Sequence, residues 1–152
     1  QAHLVVESVR RFAAPEFGVD LFKLECPVPA ASPDGDGAKA AFAALAEATG
    51  GGPWGMLRAG APPDRVVRVL EAAYAAGASG FLAGRAIWWQ AMQDWRDAER
   101  CRARLRAEAA PYLAELSALT GRLARPVVPA APDRSGITRE GDFVAAVPAL
   151  GQ

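Results

Sequence analysis

Apolar residues recur along the chain with two periods, one typical of amphipathic helices and one typical of short buried strands. The helical period predicts helices at residues 1–12, 38–49, 62–76 and 86–95. Short apolar runs bounded by glycine and proline predict three strands, at residues 19–25, 54–59 and 79–83. Residues 97–124 keep the helical period, and Pro111 is expected to divide them into two helices because proline disrupts a helix interior.

Strands that alternate with helices of this length are typical of parallel β-α units joined by right-handed crossovers. A closed barrel of such units needs eight strands over about 250 residues, whereas this chain has 152 residues and predicts three strands. We therefore expect an α/β protein formed by the C-terminal three β-α units of a (β/α)8 TIM barrel, with extra C-terminal helices. The alternative is a sheet whose missing strands come from another chain.

The last part of the chain differs in composition from the rest. Residues 126–152 contain four prolines and little hydrophobic periodicity. We accordingly divide the chain into a barrel part, residues 1–125, and a proline-rich, loosely ordered tail, residues 126–152. Within the tail, residues 142–145 predict a short edge strand.

Amino-acid composition and net charge limit the kinds of molecule that the chain is expected to bind. Apolar residues make up 51% of the chain and charged residues 22%, as in an ordinary globular protein. The formal net charge is zero, so we expect neither nucleic acid nor an anionic membrane as a partner. Cys26 and Cys101 have no metal-type spacing, and two reduced thiols in a cytoplasmic protein are expected.

Lys23 lies in the middle of the first predicted strand and is one of only two lysines, against fifteen arginines. Strand alternation places Lys23 and Glu25 on the same face. The apolar Phe22 and Leu24 face the outer helices, so the two charged side chains are expected inside the barrel as catalytic residues. Burial favours a neutral lysine amine, which can form a Schiff base with a ketone. A structural ion pair between Lys23 and Glu25 is the alternative.

Two turns from strand to helix carry residues that suit an anion. Arg58 and Gly60 follow the second strand, and Gly84 and Arg85 follow the third. Glycine lets backbone N–H groups approach a phosphate at a helix N-terminus, and Arg85 could donate two hydrogen bonds to it. We expect a phosphate site at this edge, where the strands end. A glycine turn with a solvated arginine is the alternative.

The remaining charged and aromatic residues favour structural roles. Five arginines between residues 96 and 106 are interleaved with acidic residues, a pattern typical of a solvated helix surface. Trp88, Trp89 and Trp95 recur at helical spacing and are expected in the core or in a subunit interface, which leaves a homo-oligomer open. The sequence contains no Walker loop, zinc-ligand motif or serine triad.

Three segments together resemble a known family. The runs VDLFKLECP (residues 19–27), LRAG (57–60) and FLAGRAIW (81–88) are similar to the class I aldolases of the tagatose-1,6-bisphosphate aldolase group. Sulfofructosephosphate aldolases share the pattern. The likeness covers about residues 1–123 in consistent order and corresponds to the last three β-α units of that family's barrel.

The resemblance implies a Schiff-base mechanism with Lys23 as the imine-forming lysine. It would attack the ketone of a phosphorylated (or sulfonated) ketose, and the iminium would accept electrons as the C3–C4 bond breaks. Dihydroxyacetone phosphate and a three-carbon aldehyde would be released. Gly60, Gly84 and Arg85 match the family's anion-binding loops. The resemblance implies no metal and no cofactor, because the iminium is the electron sink.

The chain departs from the family's pattern in three ways. The family's proton-transfer glutamate and second lysine lie on earlier strands that have no counterpart here. Arg58 stands where the family has a small serine, which bears on the anion site and on substrate choice. Residues 27–37 and the tail after Arg125 are also unlike the family.

These observations lead to one functional expectation and two alternatives. We expect a cytoplasmic lyase of carbohydrate metabolism, a class I aldolase whose acid and base are supplied outside this chain. One alternative is a non-catalytic barrel fragment or degenerate paralogue that acts as a phosphate-ligand or protein-interaction module. The other is a barrel enzyme that uses the phosphate site without forming an imine.

Overall fold

The computed structural model describes residues 2–28, 36–57 and 63–127. The helices and strands follow the order α1 (Ala2–Phe12), β1 (Phe22–Glu25), α2 (Asp36–Ala48), β2 (Trp54–Leu57), α3 (Pro63–Ala75), β3 (Gly80–Leu82), α4 (Arg85–Met92), α5 (Ala98–Arg104) and α6 (Ala110–Leu123). A 3₁₀ turn at Pro15–Phe17 precedes β1, and a π-helical segment at Leu105–Ala109 joins α5 to α6. The short edge strand predicted at residues 142–145 lies outside the described residues.

The three strands form one parallel sheet in the order β1-β2-β3. Leu24 of β1 pairs with Met56 of β2, and Met56 pairs with Phe81 of β3. Each pair of neighbouring strands is connected through a helix, α2 or α3, as parallel strands require. The mixed α/β class predicted from the sequence is therefore confirmed.

One face of the sheet carries the hydrophobic core. Phe22, Leu24, Trp54 and Met56 alternate along β1 and β2 and are all buried. The helices contribute the rest of this cluster: Val6 and Val9 from α1, Phe42 and Leu45 from α2, Val66, Leu70 and Tyr74 from α3, and Leu116 and Leu119 from α6. All four helices therefore pack on the same side. Burial of each large apolar side chain contributes about 1.5–3 kcal/mol.

The opposite side of the sheet is called the open face here. It consists of the alternate strand residues Lys23, Glu25, Gly55, Leu57, Gly80 and Leu82, none of which belongs to the core cluster. Leu82 is exposed, and so is Leu21 (55% exposed), which precedes β1. The sheet thus has one face covered by helices and one face that the described residues leave accessible.

Helix α3 ends as the sequence predicts. Gly77 adopts a left-handed conformation, with φ of 94°, which a residue with a Cβ rarely takes. The Gly77 amide donates to the Tyr74 carbonyl, and the Ala78 amide donates to the Ala73 carbonyl at 3.0 Å. These bonds satisfy carbonyl groups that the end of the helix would leave unpaired, and the chain turns directly into β3.

The long C-terminal helical region is divided near Pro111, as the sequence predicts. Helix α6 begins at Ala110 with Pro111 in its first turn, and a π-helical segment, which the sequence did not predict, separates it from α5. Proline lacks an amide hydrogen for the carbonyl of Ala107, four residues earlier, and its ring crowds that carbonyl. The helix widens just before it, and the Ala110 amide bonds to the Leu105 carbonyl, five residues back.

The buried side of α1 differs in part from the prediction. The pattern places Leu4, Val5, Val9 and Phe12 on its apolar side; Val9 is buried as predicted, yet Leu4 is 73% exposed and Phe12 is exposed as well. Val6 and Val9 are the buried pair, and Phe12 instead packs edge-on against Phe17 of the 3₁₀ turn, with 5.2 Å between the ring centroids.

Within the described residues, no helix combines the length and apolar character needed to cross a bilayer.

Candidate functional site

Lys23 occupies the second position of β1, on the open face. Its neighbours in register are Gly55 on β2 and, through Gly55, Gly80 on β3. Its side chain is exposed, so the burial expected for a lysine inside a closed barrel is not found in the described part of the chain. The sequence predicts that Lys23 and Glu25 lie inside a closed barrel, and these three β-α units alone do not enclose them.

Glu25 lies two residues further along β1, also on the open face and also exposed. The alternative interpretation, a structural ion pair between Lys23 and Glu25, is not observed, and neither residue takes part in any of the ion pairs among the described residues. Lys23 and Glu25 thus lie on the same face of β1 without forming a direct ion pair. The amine of Lys23 is therefore accessible to a ligand.

The row that contains Lys23 has glycine at both other positions. A Cβ placed on Gly55 would lie 3.1 Å from Cδ1 of Leu82, whereas one on Gly80 would meet nothing within 4 Å. The Leu82 side chain thus covers Gly55, and no side chain rises from the sheet beside Lys23 on β2. Glycine inside a strand is typical of places where another group approaches the backbone closely.

The second part of the site lies where β3 ends. Two residues after Leu82 the chain begins α4, with Gly84 at the N-cap and Arg85 in the first turn. Both residues are exposed. A Cβ placed on Gly84 would lie 3.8 Å from Nε1 of Trp88, so the indole N–H lies beside this turn. The turn thus brings together an arginine, backbone N–H groups at a helix start and an indole N–H, all of which are donors.

The two parts of the site lie on different strands of one sheet. β1 and β3 are separated by β2, which corresponds to about 10 Å between the two outer strands. Lys23 and Arg85 could therefore serve different groups of one ligand, such as a carbonyl and a phosphate. Arg58 and Gly60, predicted at the intervening turn, lie outside the described residues.

Cys26 directly follows Glu25 and is the first residue after β1. It is buried, and both Cys26 and Cys101 are free thiols. Burial raises the pKa of the Cys26 thiol, against a smaller opposing effect of a backbone hydrogen bond at Val28. A raised pKa keeps the thiol protonated, so Cys26 is unsuited to act as a nucleophile.

Trp88, Trp89 and Trp95 do not lie in the core. Trp88 and Trp89 are exposed, Trp89 by 50%, and Trp95 is 64% exposed. Packing in the core, one of the two expectations for these residues, is therefore wrong; the other, a subunit interface, stays a prediction. Arg96 stacks over the Trp95 ring at 5.1 Å.

The arginine-rich segment behaves as the sequence predicts, as a solvated helix surface. Arg102 pairs with Glu99 at 2.7 Å, and Arg100 lies 3.4 Å from a carboxylate oxygen of Asp94. Arg104 pairs with both Asp94 and Glu108. These arginines are largely neutralised by acidic neighbours and do not form a free cationic patch.

The site contains features that the sequence interpretation missed. The glycine pair Gly55 and Gly80 lies beside Lys23 only because of the strand register, which the sequence does not state. A glycine within the second and the third predicted strand was the available signal. Among the described residues, no three His, Cys, Asp or Glu side chains cluster so as to hold a metal ion. No protein-family model matches the chain.

Proposed function

We propose that the chain is the C-terminal part of a (β/α)8 class I aldolase that cleaves a phosphorylated (or sulfonated) ketose through a lysine Schiff base. The observation that carries the proposal is the position of Lys23. Its amine lies mid-strand on the open face of a parallel sheet, without an ion-pair partner among the described residues. An accessible amine without an ion-pair partner can reach a ketone, and lysine nucleophiles are activated when their surroundings become desolvated.

The proposed chemistry begins with attack of Lys23 Nζ on the C2 carbonyl of the ketose. The carbinolamine loses water and becomes an iminium ion. A base removes the proton of the C4 hydroxyl, the C3–C4 bond breaks, and its electron pair moves into the iminium to give an enamine. The three-carbon aldehyde leaves with the new carbonyl. Protonation of the enamine and addition of water then release dihydroxyacetone phosphate and free Lys23.

The charged neighbours take supporting roles in this proposal. Glu25 supplies a catalytic carboxylate on the same face as Lys23. Arg85 and Gly84, at the start of α4, bind the phosphate or sulfonate. Arg58 and Gly60, which follow β2 in sequence and lie outside the described residues, are proposed as further members of this anion site. The other proton-transfer groups come from β-α units outside this chain.

The exposure of Lys23 bears directly on the proposal. In the described part of the chain its side chain is in contact with water, whereas a closed active site excludes water from the reacting groups. The remaining units of the proposed barrel would cover the open face and exclude that water. Exposed apolar side chains on this side of the sheet, Leu21 and Leu82, are those expected of a surface that another part of the barrel covers.

The two lysines of the chain provide a matched test. Lys39 is exposed on α2, remote in sequence from β1, and serves as the control. We expect Lys23→Arg in the full-length protein to lower aldol cleavage of a ketose 1,6-bisphosphate by more than about 1,000-fold, because arginine keeps the charge but cannot form an imine. Lys39→Arg should retain activity. Cleavage that survives Lys23→Arg would show that another residue is the nucleophile.

A second function is favoured by the same exposed apolar residues. The open face and the tryptophans of α4 could bind a partner protein while the anion site holds a phosphate ligand, with no catalysis. In that case Lys23→Arg would leave partner and phosphate binding intact, and the wild-type protein would show no aldol cleavage. The activity measurement above therefore separates the two functions.

A further inference from the structure

Helix α4 is held in place by little apolar burial. Of its eight residues only Ala91 is buried, Ile87 is partly buried against the core, and Trp88, Trp89 and Met92 are all exposed. A helix of this length normally gains most of its positional stability from a buried apolar face. Polar contacts therefore take a larger share in fixing the orientation of α4 than they do for α2 or α3.

The polar contact that does so comes from Arg104, at the end of α5. Its Nη1 donates to the backbone carbonyl of Gln90 at 2.7 Å and lies 3.2 Å from Oδ2 of Asp94. Gln90 is in the last turn of α4, where a positive charge is favoured, and its carbonyl also accepts a hydrogen bond from the Gln93 amide at 3.4 Å. Arg104 thus joins the C-terminal end of α4 to α5.

Arg104 is itself held in one orientation. Its Nε and Nη2 donate to the two carboxylate oxygens of Glu108, each at 3.0 Å. This paired geometry fixes the plane of the guanidinium group, which lysine could not reproduce. Glu108 lies in the π-helical segment that precedes Pro111. Through its bonds to Gln90 and Glu108, Arg104 therefore connects α4 with this π-helical segment.

The opposite end of α4 carries the proposed anion site. Gly84 and Arg85 begin the helix, and eight residues span about 12 Å. A short helix moves nearly as a rigid rod, so a shift at Gln90 changes the position of Arg85. We propose that Arg104 is a positioning residue that holds α4 so that Arg85 and Gly84 meet the ligand anion. This inference rests on the proposed function, since the anion is the phosphate or sulfonate of the ketose.

Arg102 offers a matched control. It also pairs with a glutamate, Glu99, but both side chains are exposed and belong to the same helix. We expect Arg104→Ala to weaken binding of inorganic phosphate to the full chain by about five- to tenfold, measured by titration calorimetry. Arg102→Ala removes the same charge and should change the affinity less than twofold. Arg104→Lys should recover only part of the loss.

Hydrogen exchange of the α4 amides provides a readout that does not need a ligand. In Arg104→Ala, faster exchange should be confined to residues 85–92, with β1, β2 and α3 unchanged. Uniformly faster exchange would mean a general loss of stability and would overturn the positioning role. If Arg104→Ala fails to fold, Glu108→Gln, which releases the guanidinium on one side, replaces it in both measurements, with the same localised change expected.

The two readouts separate this inference from the function on which it rests. If the wild-type chain binds no phosphate, the proposed anion site is wrong, and the exchange pattern still decides whether Arg104 fixes α4. If phosphate binds equally well to wild type and Arg104→Ala, or if both arginine variants lose affinity equally, Arg104 does not position the site.

Discussion

Arg104 changes the acid–base behaviour of the residue that faces it. Hydrogen bonds from Arg104 are the main reason that the pKa of Glu108 is lowered; partial desolvation opposes them, and the charge of Arg104 adds to them. A carboxyl group with a lowered pKa in the folded protein stabilises the fold above its unfolded pKa. That contribution is lost as the pH falls through the lowered pKa.

The stability of a Glu108→Gln variant should therefore depend on pH in a defined way. At pH 7 we expect its melting temperature to be about 1–2 °C below that of the wild type, a small difference because the pair is solvent-exposed. The difference should shrink in acid, as Glu108 of the wild type becomes protonated. Thermal melts between neutral and strongly acid pH provide the measurement. Glu99→Gln is the control, and a difference that grows in acid would contradict the account.

At the scale of elements, a hydrogen bond between Tyr74 and Thr120 joins α3 to α6. The Tyr74 hydroxyl lies 2.7 Å from Oγ1 of Thr120, which itself donates to the Leu116 carbonyl at 2.8 Å. Since the Thr120 proton is used there, Tyr74 is the donor. Desolvation raises the pKa of the Tyr74 phenol, and the hydrogen bond opposes this effect, so the phenol keeps its proton under physiological conditions.

Tyr74→Phe should lower the free energy of unfolding by about 1 kcal/mol, because it removes the donor while keeping the ring. Thr120→Val should cost more, since it leaves the buried Tyr74 hydroxyl without its partner. Thr120→Ser keeps the hydroxyl and serves as the control. Urea denaturation measures all three. A Tyr74→Phe variant as stable as the wild type would show that this bond does not hold α6 against α3.

The elements were predictable where local pattern determines them. Phe42 and Leu45 lie on the buried side of α2, and Val66, Leu70 and Tyr74 on that of α3, as periodicity indicates. Tertiary packing decided the cases where the prediction was wrong. On α1, Val9 is buried as predicted, but Val6 is buried while Leu4 and Phe12 are exposed. This difference depends on how α1 packs against α2, and local periodicity does not determine that packing angle.

The candidate site was predictable in its residues but not in its surroundings. The scarcity of lysine singled out Lys23, and the turn chemistry singled out Gly84 and Arg85. The neighbours of Lys23 depend on strand register, and the Arg104 contacts depend on how α4 folds back onto α5. Both are long-range arrangements, for which local periodicity carries no signal.

At the scale of the whole molecule, the asymmetry of the sheet is the dominant feature. Helices α1, α2, α3 and α6 cover one side, while the open face presents Lys23 and Glu25 together with exposed leucine. Crossover helices on one side of sequentially ordered parallel strands, here α2 and α3, are typical of a barrel wall, whereas doubly wound sheets carry helices on both faces. This arrangement supports the proposal that further β-α units complete the fold around Lys23.

The most direct test of the proposed Schiff base is reductive trapping. The full-length protein is incubated with dihydroxyacetone phosphate, reduced with borohydride, digested and examined by mass spectrometry. We predict one stoichiometric adduct on the peptide that contains Lys23, none on the peptide that contains Lys39, and none on Lys23 when ketone or reductant is omitted. An unmodified Lys23 under these conditions, or equal labelling of both lysines, would contradict the assignment of Lys23 as the imine-forming residue.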